Sequence, residues 1–203
     1  MEVLILSKTV YGQRFCIGGI LLKDLKPVRL LYPGGYYPSA DTSFNIGDVW
    51  DIEFVAVKEI SEPHNEDVVV RAQNFLRKQS ELKQFILNMG VPIWNGHIEK
   101  IFDSKLTWPG SGKGYLSKNR PDFPQHSTGF WINDKPLKFY GEHYSYPTGR
   151  LLITRKLKYK GVPGAVNTIP DNSLIRVSLA KWWLRPDSND ELRCYAQLSG
   201  WYS

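Results

Sequence analysis

Apolar residues run almost without a break from Phe15 to Leu22, where Phe15, Ile17, Gly19 and Leu21 alternate with Cys16, Gly18, Ile20 and Leu22. Such a run predicts a strand buried on both faces. Lys23-Asp24-Leu25-Lys26 supplies a polar turn, and Pro27 can stand only at the start of a returning strand, Val28-Arg29-Leu30-Leu31-Tyr32. The pair Gly18-Gly19 weakens a strand and so predicts a sharp bend, of the kind a small closed barrel needs. Val3 and Ile5 against Leu4 and Leu6 predict a further strand ahead of the hairpin.

After Asn45-Ile46-Gly47-Asp48 the alternation is cleaner. Trp50, Ile52, Phe54 and Ala56 share one face of a strand while Asp51 and Glu53 lie on the other. Polar residues 62–67 lead into a short strand, Val68-Val69-Val70. The spacing changes over residues 74–89, where Phe75, Leu82, Phe85, Ile86 and Met89 fall on one face of a helix. Asn74 would be its N-cap, with Gly90 just past its end and Pro92 beyond. Residues 103–128, dense in Gly, Pro, Ser and Lys, read as a long connecting loop. Strands resume over 129–132 and 137–140 around Asn133-Asp134, then over 150–160, 173–184 and 192–202. The pattern predicts an all-β chain with one or two helices. Two small antiparallel barrels, over residues 1–72 and 129–203, are joined by a helix and a long loop over 73–128.

Composition agrees with that class: aromatic residues make up 13% of the chain, and glycine and proline punctuate it throughout. No apolar run approaches the roughly 20 residues needed to span a membrane. The start MEVLILSK has neither a basic n-region nor a cleavage site, so it reads as a first strand and a cytoplasmic location is expected. Cys16 and Cys194 sit in apolar strands and read as buried reduced thiols, too few for a cysteine-rich zinc site. Charge separates the halves. Residues 1–100 hold 11 Lys/Arg against 12 Asp/Glu, and residues 101–203 hold 15 against 8, so the whole excess of +6 lies in the C-terminal half. An anionic partner for that half is the implication, set against a merely soluble basic surface.

Within that half, parity is informative. In a strand over 150–160, Leu151, Ile153, Arg155, Leu157 and Tyr159 make one face, and Leu152, Thr154, Lys156, Lys158 and Lys160 make the other. A row of lysines either guards a sheet edge or tracks phosphates. Lys181, Trp182, Trp183 and Arg185 add aromatics to cations, the combination with which single strands are held by phosphate contact and base stacking. Trp182 and Trp183 point to opposite faces, so one of them is left for stacking. Gly110-Ser111-Gly112-Lys113-Gly114 lacks the spacer and following Ser/Thr of a phosphate-binding loop, and only a flexible basic loop around Lys113 is expected.

Elsewhere His64, Glu66 and Asp67 form a compact polar cluster that could offer metal ligands, or alternatively a capped turn. No serine or cysteine nucleophile has a motif around it, and nothing calls for a cofactor. Nucleic-acid binding without catalysis leads. A protein adaptor using Tyr36, Tyr37 and Trp108 is second, and a metal-assisted nuclease using His64, Glu66 and Asp67 is third.

Several stretches together resemble a family. Arg14-Phe15-Cys16-Ile17-Gly18-Gly19-Ile20 followed by Pro27-Val28-Arg29, then Ile46-Gly47-Asp48-Val49, then Pro63-His64 with Glu66-Asp67, and the ending Cys194 to Tyr202 are similar to the dual OB-fold domain proteins of prokaryotes. The resemblance implies two OB-like barrels. It also implies a nucleic-acid partner, single-stranded by the reading above, and a setting in defence or conflict gene clusters with a possible protein partner encoded nearby.

Overall fold

β2 (Arg14–Leu21) and β3 (Pro27–Leu31) form the hairpin of the apolar run, turning through Leu25 at φ 60. The computed structural model describes residues 1–57, 59–120, 122–149, 153–184 and 191–203, and the chain divides into two units, Met1–Val91 and Pro92–Ser203. In the first unit, β1 (Glu2–Tyr11) pairs with β2 along its length and with β4 (Asp48–Ala56) through its first residues. β5 (Asp67–Lys78) lies between β4 and β3. The ring closes in the order β1-β2-β3-β5-β4, the order of an OB barrel. Every pair is antiparallel except β3 with β5, the parallel seam that closes the OB-like barrel. Val3, Ile5, Ile17, Leu30, Phe44 and Ile52 fill the barrel. The glycine pair has a cause in β1: a Cβ on Gly19 would stand 2.7 Å from the carbonyl oxygen of Leu4.

The helix expected over 74–89 is two things. Residues up to Lys78 continue β5, because β4 offers its whole length as a partner: Asp48 faces Lys78 and Trp50 faces Phe75. The two rings meet edge-on at 5.5 Å, and that contact with the ladder hydrogen bonds overrides a helical spacing that is present in the sequence. Phe75 is left 49% exposed. Only Leu82–Asn88 form α1, and Ile86 is its buried residue. Asn74 caps nothing.

The second unit opens with β6 (Ile93–Gly96) and a 3-10 segment, Ile98–Ser104. The stretch expected to be loop contains β7 (Tyr115–Ser117), which pairs with the last strand, β15 (Leu192–Tyr202). The remaining strands are β8 (Thr128–Asn133), β9 (Leu137–Tyr140), β10 (His143–Pro147), β11 (Thr154–Tyr159), β12 (Thr168–Ile169), β13 (Leu174–Leu179) and β14 (Trp183–Leu184). Residues 150–152 of the expected strand over 150–160 lie outside the described residues.

Two of these pairs are halves of single bent strands. Ile132 of β8 faces Leu174 of β13, and Leu137 of β9 faces Ile169 of β12, five residues on in one direction and five back in the other. One antiparallel register therefore runs through both halves. The corner between them is held by buried Asn133, whose Nδ2 donates to the carbonyls of Lys135 and Pro170 while its Oδ1 accepts from the Ser173 N–H. Taken this way, β8/β9 pairs with β10, β10 with β11, β11 with β15 in parallel, β15 with β13, and β12/β13 back with β8/β9. This repeats the order and the strand directions of the first barrel. Trp131, Tyr144, Tyr146, Leu157 and Leu198 fill it. The polar tips of these rings are satisfied, Trp131 donating to Gly96 O, Tyr144 to Val166 O and Tyr146 to Asp134. Both cysteines are reduced thiols, and among the described residues no helix is long and apolar enough to cross a membrane.

Candidate nucleic-acid interface

In β11, Leu157 is fully enclosed in the core, which obliges Lys156 and Lys158 to point outward. β15 alternates in the same way: Cys194, Ala196 and Leu198 are buried, so Arg193, Tyr195 and Gln197 share the outer face. Lys158 faces Gln197 across the parallel pair. Ahead of that pair, the loop over 109–114 spans both strands. Lys156 N–H donates to Gly112 O at 2.7 Å, and Ala196 N–H donates to Gly114 O at 2.9 Å. Gly112 has φ +77, and a Cβ there would stand 2.4 Å from Thr154 O, so only glycine fits. The loop expected to be flexible is thus pinned, and it holds Lys113 at a set position.

These elements surround a cavity of about 730 Å³. Its floor is Lys156 and Lys158 of β11 with Tyr195 and Gln197 of β15, and one wall is Pro109, Ser111 and Lys113. Glu142 and His143 come from the β9–β10 turn and the start of β10. Trp183 and Arg193 close the remaining side. Trp183 is 49% exposed, its ring 6.3 Å from that of Tyr195. Strand face plus the first–second and fourth–fifth strand connections is where an OB barrel takes oligonucleotides.

The cavity is electropositive. Lys158 is tied to Glu142 at 2.7 Å, and that hydrogen bond holds the Glu142 carboxyl below the usual carboxylate range. Burial, and next the charge of Lys113, push the His143 imidazole below its ordinary value; Glu142 opposes this, and Lys158 and Lys156 add to it. Arg193 stacks over the Tyr115 ring at 4.2 Å and donates through Nε to Glu191 at 2.7 Å.

Of the cations and aromatics predicted for binding, Lys113, Lys156, Lys158 and Trp183 meet in this cavity. Trp182 is half-buried against Phe123 at 5.4 Å, beneath Lys118 at 5.9 Å. Lys160 follows β11 and lies outside the lining, its N–H donating to Leu198 O. Lys181 is exposed beside β14, and Arg185 lies outside the described residues. His64, Glu66 and Asp67 belong to the other unit, where the Asp67 carboxylate is engaged by the Arg29 guanidinium. Among the described residues no group of three or more His, Cys, Asp or Glu is arranged to hold a metal ion. Of the proposed adaptor anchors, Tyr36 is exposed, Tyr37 is buried, and Trp108 is covered by Gly114 and by Arg155 at 5.3 Å. Sequence reasoning missed Glu142, His143, Arg193, Tyr195 and Gln197. The alternation of polar Arg193, Tyr195 and Gln197 with apolar Cys194, Ala196 and Leu198 was the available signal.

A family model described as a dual OB-containing domain matches residues 1–201. No curated protein matches the chain. Among solved structures, one of a murine DNA-binding protein bound with double-stranded DNA is 9% identical, with a TM-score of 0.32 over 98% of this chain and 91% of that one. A likeness so distant carries no argument about this protein.

Proposed function

Because the chain belongs to the dual OB-containing domain family, we propose that it is a non-catalytic nucleic-acid-binding module whose second barrel takes a single strand of DNA or RNA. The supporting observation is the cavity in which Lys113, Lys156 and Lys158 converge beside an exposed Trp183. Lysines supply sequence-independent phosphate contact, and an exposed ring supplies a surface on which any base stacks, at about 1–3 kcal/mol per base. The cavity is walled on several sides, which suits one flexible strand better than a duplex with its paired bases turned inward. In the cell the reading places the module in the cytoplasm, in a prokaryotic defence or conflict system, together with a protein encoded nearby.

Fluorescence titration with short single strands tests the binding reading. Trp183 should be quenched on binding, and affinity should fall steeply with added salt. A duplex of the same sequence binding more tightly than either strand would reverse the preference.

One observation favours a second reading. In the first unit Tyr36 is 61% exposed beneath the Arg14 guanidinium at 5.5 Å, and Tyr11 is 53% exposed against Tyr37 at 4.6 Å. Rigid aromatics beside an arginine are the side chains that anchor protein interfaces. That surface would receive the protein partner.

A further inference from the structure

The charge in the cavity of the second barrel exceeds what a passing strand needs. A phosphodiester in the middle of a strand carries one negative charge, and a single lysine answers it. Here Lys113, Lys156 and Lys158 surround one space together with His143, and Glu142 is the one carboxylate among the described lining residues. That carboxylate is already committed to Lys158. His143 is lowered by burial first and by the charge of Lys113 next, so it brings no positive charge of its own to the cavity.

The walls point the same way. The loop over 109–114 is hydrogen-bonded to both β11 and β15, so it fixes Lys113 beside Lys156 and gathers the cations in one space rather than spreading them along the strand face.

We infer that the cavity receives a phosphorylated end of the nucleic-acid strand, with the terminal phosphomonoester among Lys113, Lys156 and His143 and the adjoining base against Trp183. This rests on the nucleic-acid reading above and narrows it to one class of substrate. A phosphomonoester carries a charge of about −1.5 to −2 at neutral pH and three strong acceptor oxygens. It therefore satisfies three converging donors where a phosphodiester leaves one or more unanswered. The imidazole of His143, beside the lysines, supplies an N–H as a further donor.

The test is a titration of tryptophan fluorescence with hexathymidylate in three forms: a 5′-phosphate, a 3′-phosphate, and hydroxyls at both ends. Thymidine 5′-monophosphate is the fourth ligand. One of the two phosphorylated strands should bind about tenfold more tightly than the hydroxyl-ended strand, the scale of one added charge-assisted hydrogen bond. In Lys113→Ala the ratio of the two should fall toward one, whatever the absolute affinities. That substitution leaves the main-chain bonds of Gly112 and Gly114 in place. Equal binding of all three strands would overturn the inference and leave the nucleic-acid reading standing. Binding of none of them would remove both. A mononucleotide that bound as tightly as the phosphorylated strand would make the cavity a nucleotide site and overturn the assignment to a strand end.

Discussion

The two barrels share one strand order and one parallel seam, yet they treat the positive charge at that seam in opposite ways. In the first, the seam begins where Arg29 faces Asp67. Arg29 is 8% exposed, its guanidinium is paired with the Asp67 carboxylate, and its N–H donates to the carbonyl of Glu66 in the connection that also carries His64. In the second, Lys158 faces Gln197 at the corresponding seam, and the fourth–fifth strand connection carries Trp183 beside an open cavity. The same topology thus yields a sealed structural ion pair in one unit and an accessible basic site in the other. Strand order alone says little about binding. What lies over the parallel seam decides it.

The largest test of that contrast is Asp67→Ala. It leaves a buried guanidinium without its counter-charge, and it should cost about 3–5 kcal/mol in urea denaturation. Glu142→Gln, which breaks the exposed pair with Lys158, should leave stability unchanged and tighten oligonucleotide binding, because Lys158 no longer has a competing anion. A destabilised Glu142→Gln protein would show that the two seams are alike after all. Next in size, changing Lys113, Lys156 and Lys158 together to serine should lower the salt slope of single-strand binding by about two units, at about 0.7 per lost phosphate contact.

The adjacent tryptophans should separate cleanly. Trp183→Ala should weaken binding by about 1–3 kcal/mol and leave both the salt slope and the melting temperature near the parent's. Trp182→Ala removes a ring packed on Phe123 and should lower the melting temperature instead.

The smallest effect is in pH. The folded His143 titrates below 6.5, so the unfolded chain takes up the proton first as pH falls. Its contribution is therefore fully present above 6.5 and is lost as pH drops through 6.5 toward the folded value. His143→Gln should remove that part of the loss of stability between about pH 7.5 and about pH 5.5. Glu142, Lys113, Lys156 and Lys158 face the ring, with Tyr140 opposite it on β9.

How much of this was legible follows from how local each signal is. The parity of β11 gave the outward Lys156 and Lys158 and the inward Leu157, because side-chain direction along one strand is a property of that strand alone. The two tryptophans do not divide by strand alternation: Trp182 precedes β14 and packs on Phe123, while Trp183 opens β14 and is exposed. The helix over 74–89 failed because its spacing was read without β4, a partner made of residues some 25 positions earlier. The bent strands on either side of Asn133 and Pro170 looked like separate short ones, since only their shared register reveals the continuity. The cavity itself joins residues from positions 109 to 197 through a parallel seam, and no local pattern announces a parallel pairing.

The most direct test of the central claim is the affinity of a short single strand for the parent and for the triple-serine protein, each measured at about 50 mM and about 200 mM salt. If the second barrel's seam is the binding surface, the parent weakens steeply between the two concentrations and the triple-serine protein weakens far less while remaining folded. Equal affinities and equal slopes for the two proteins would contradict it.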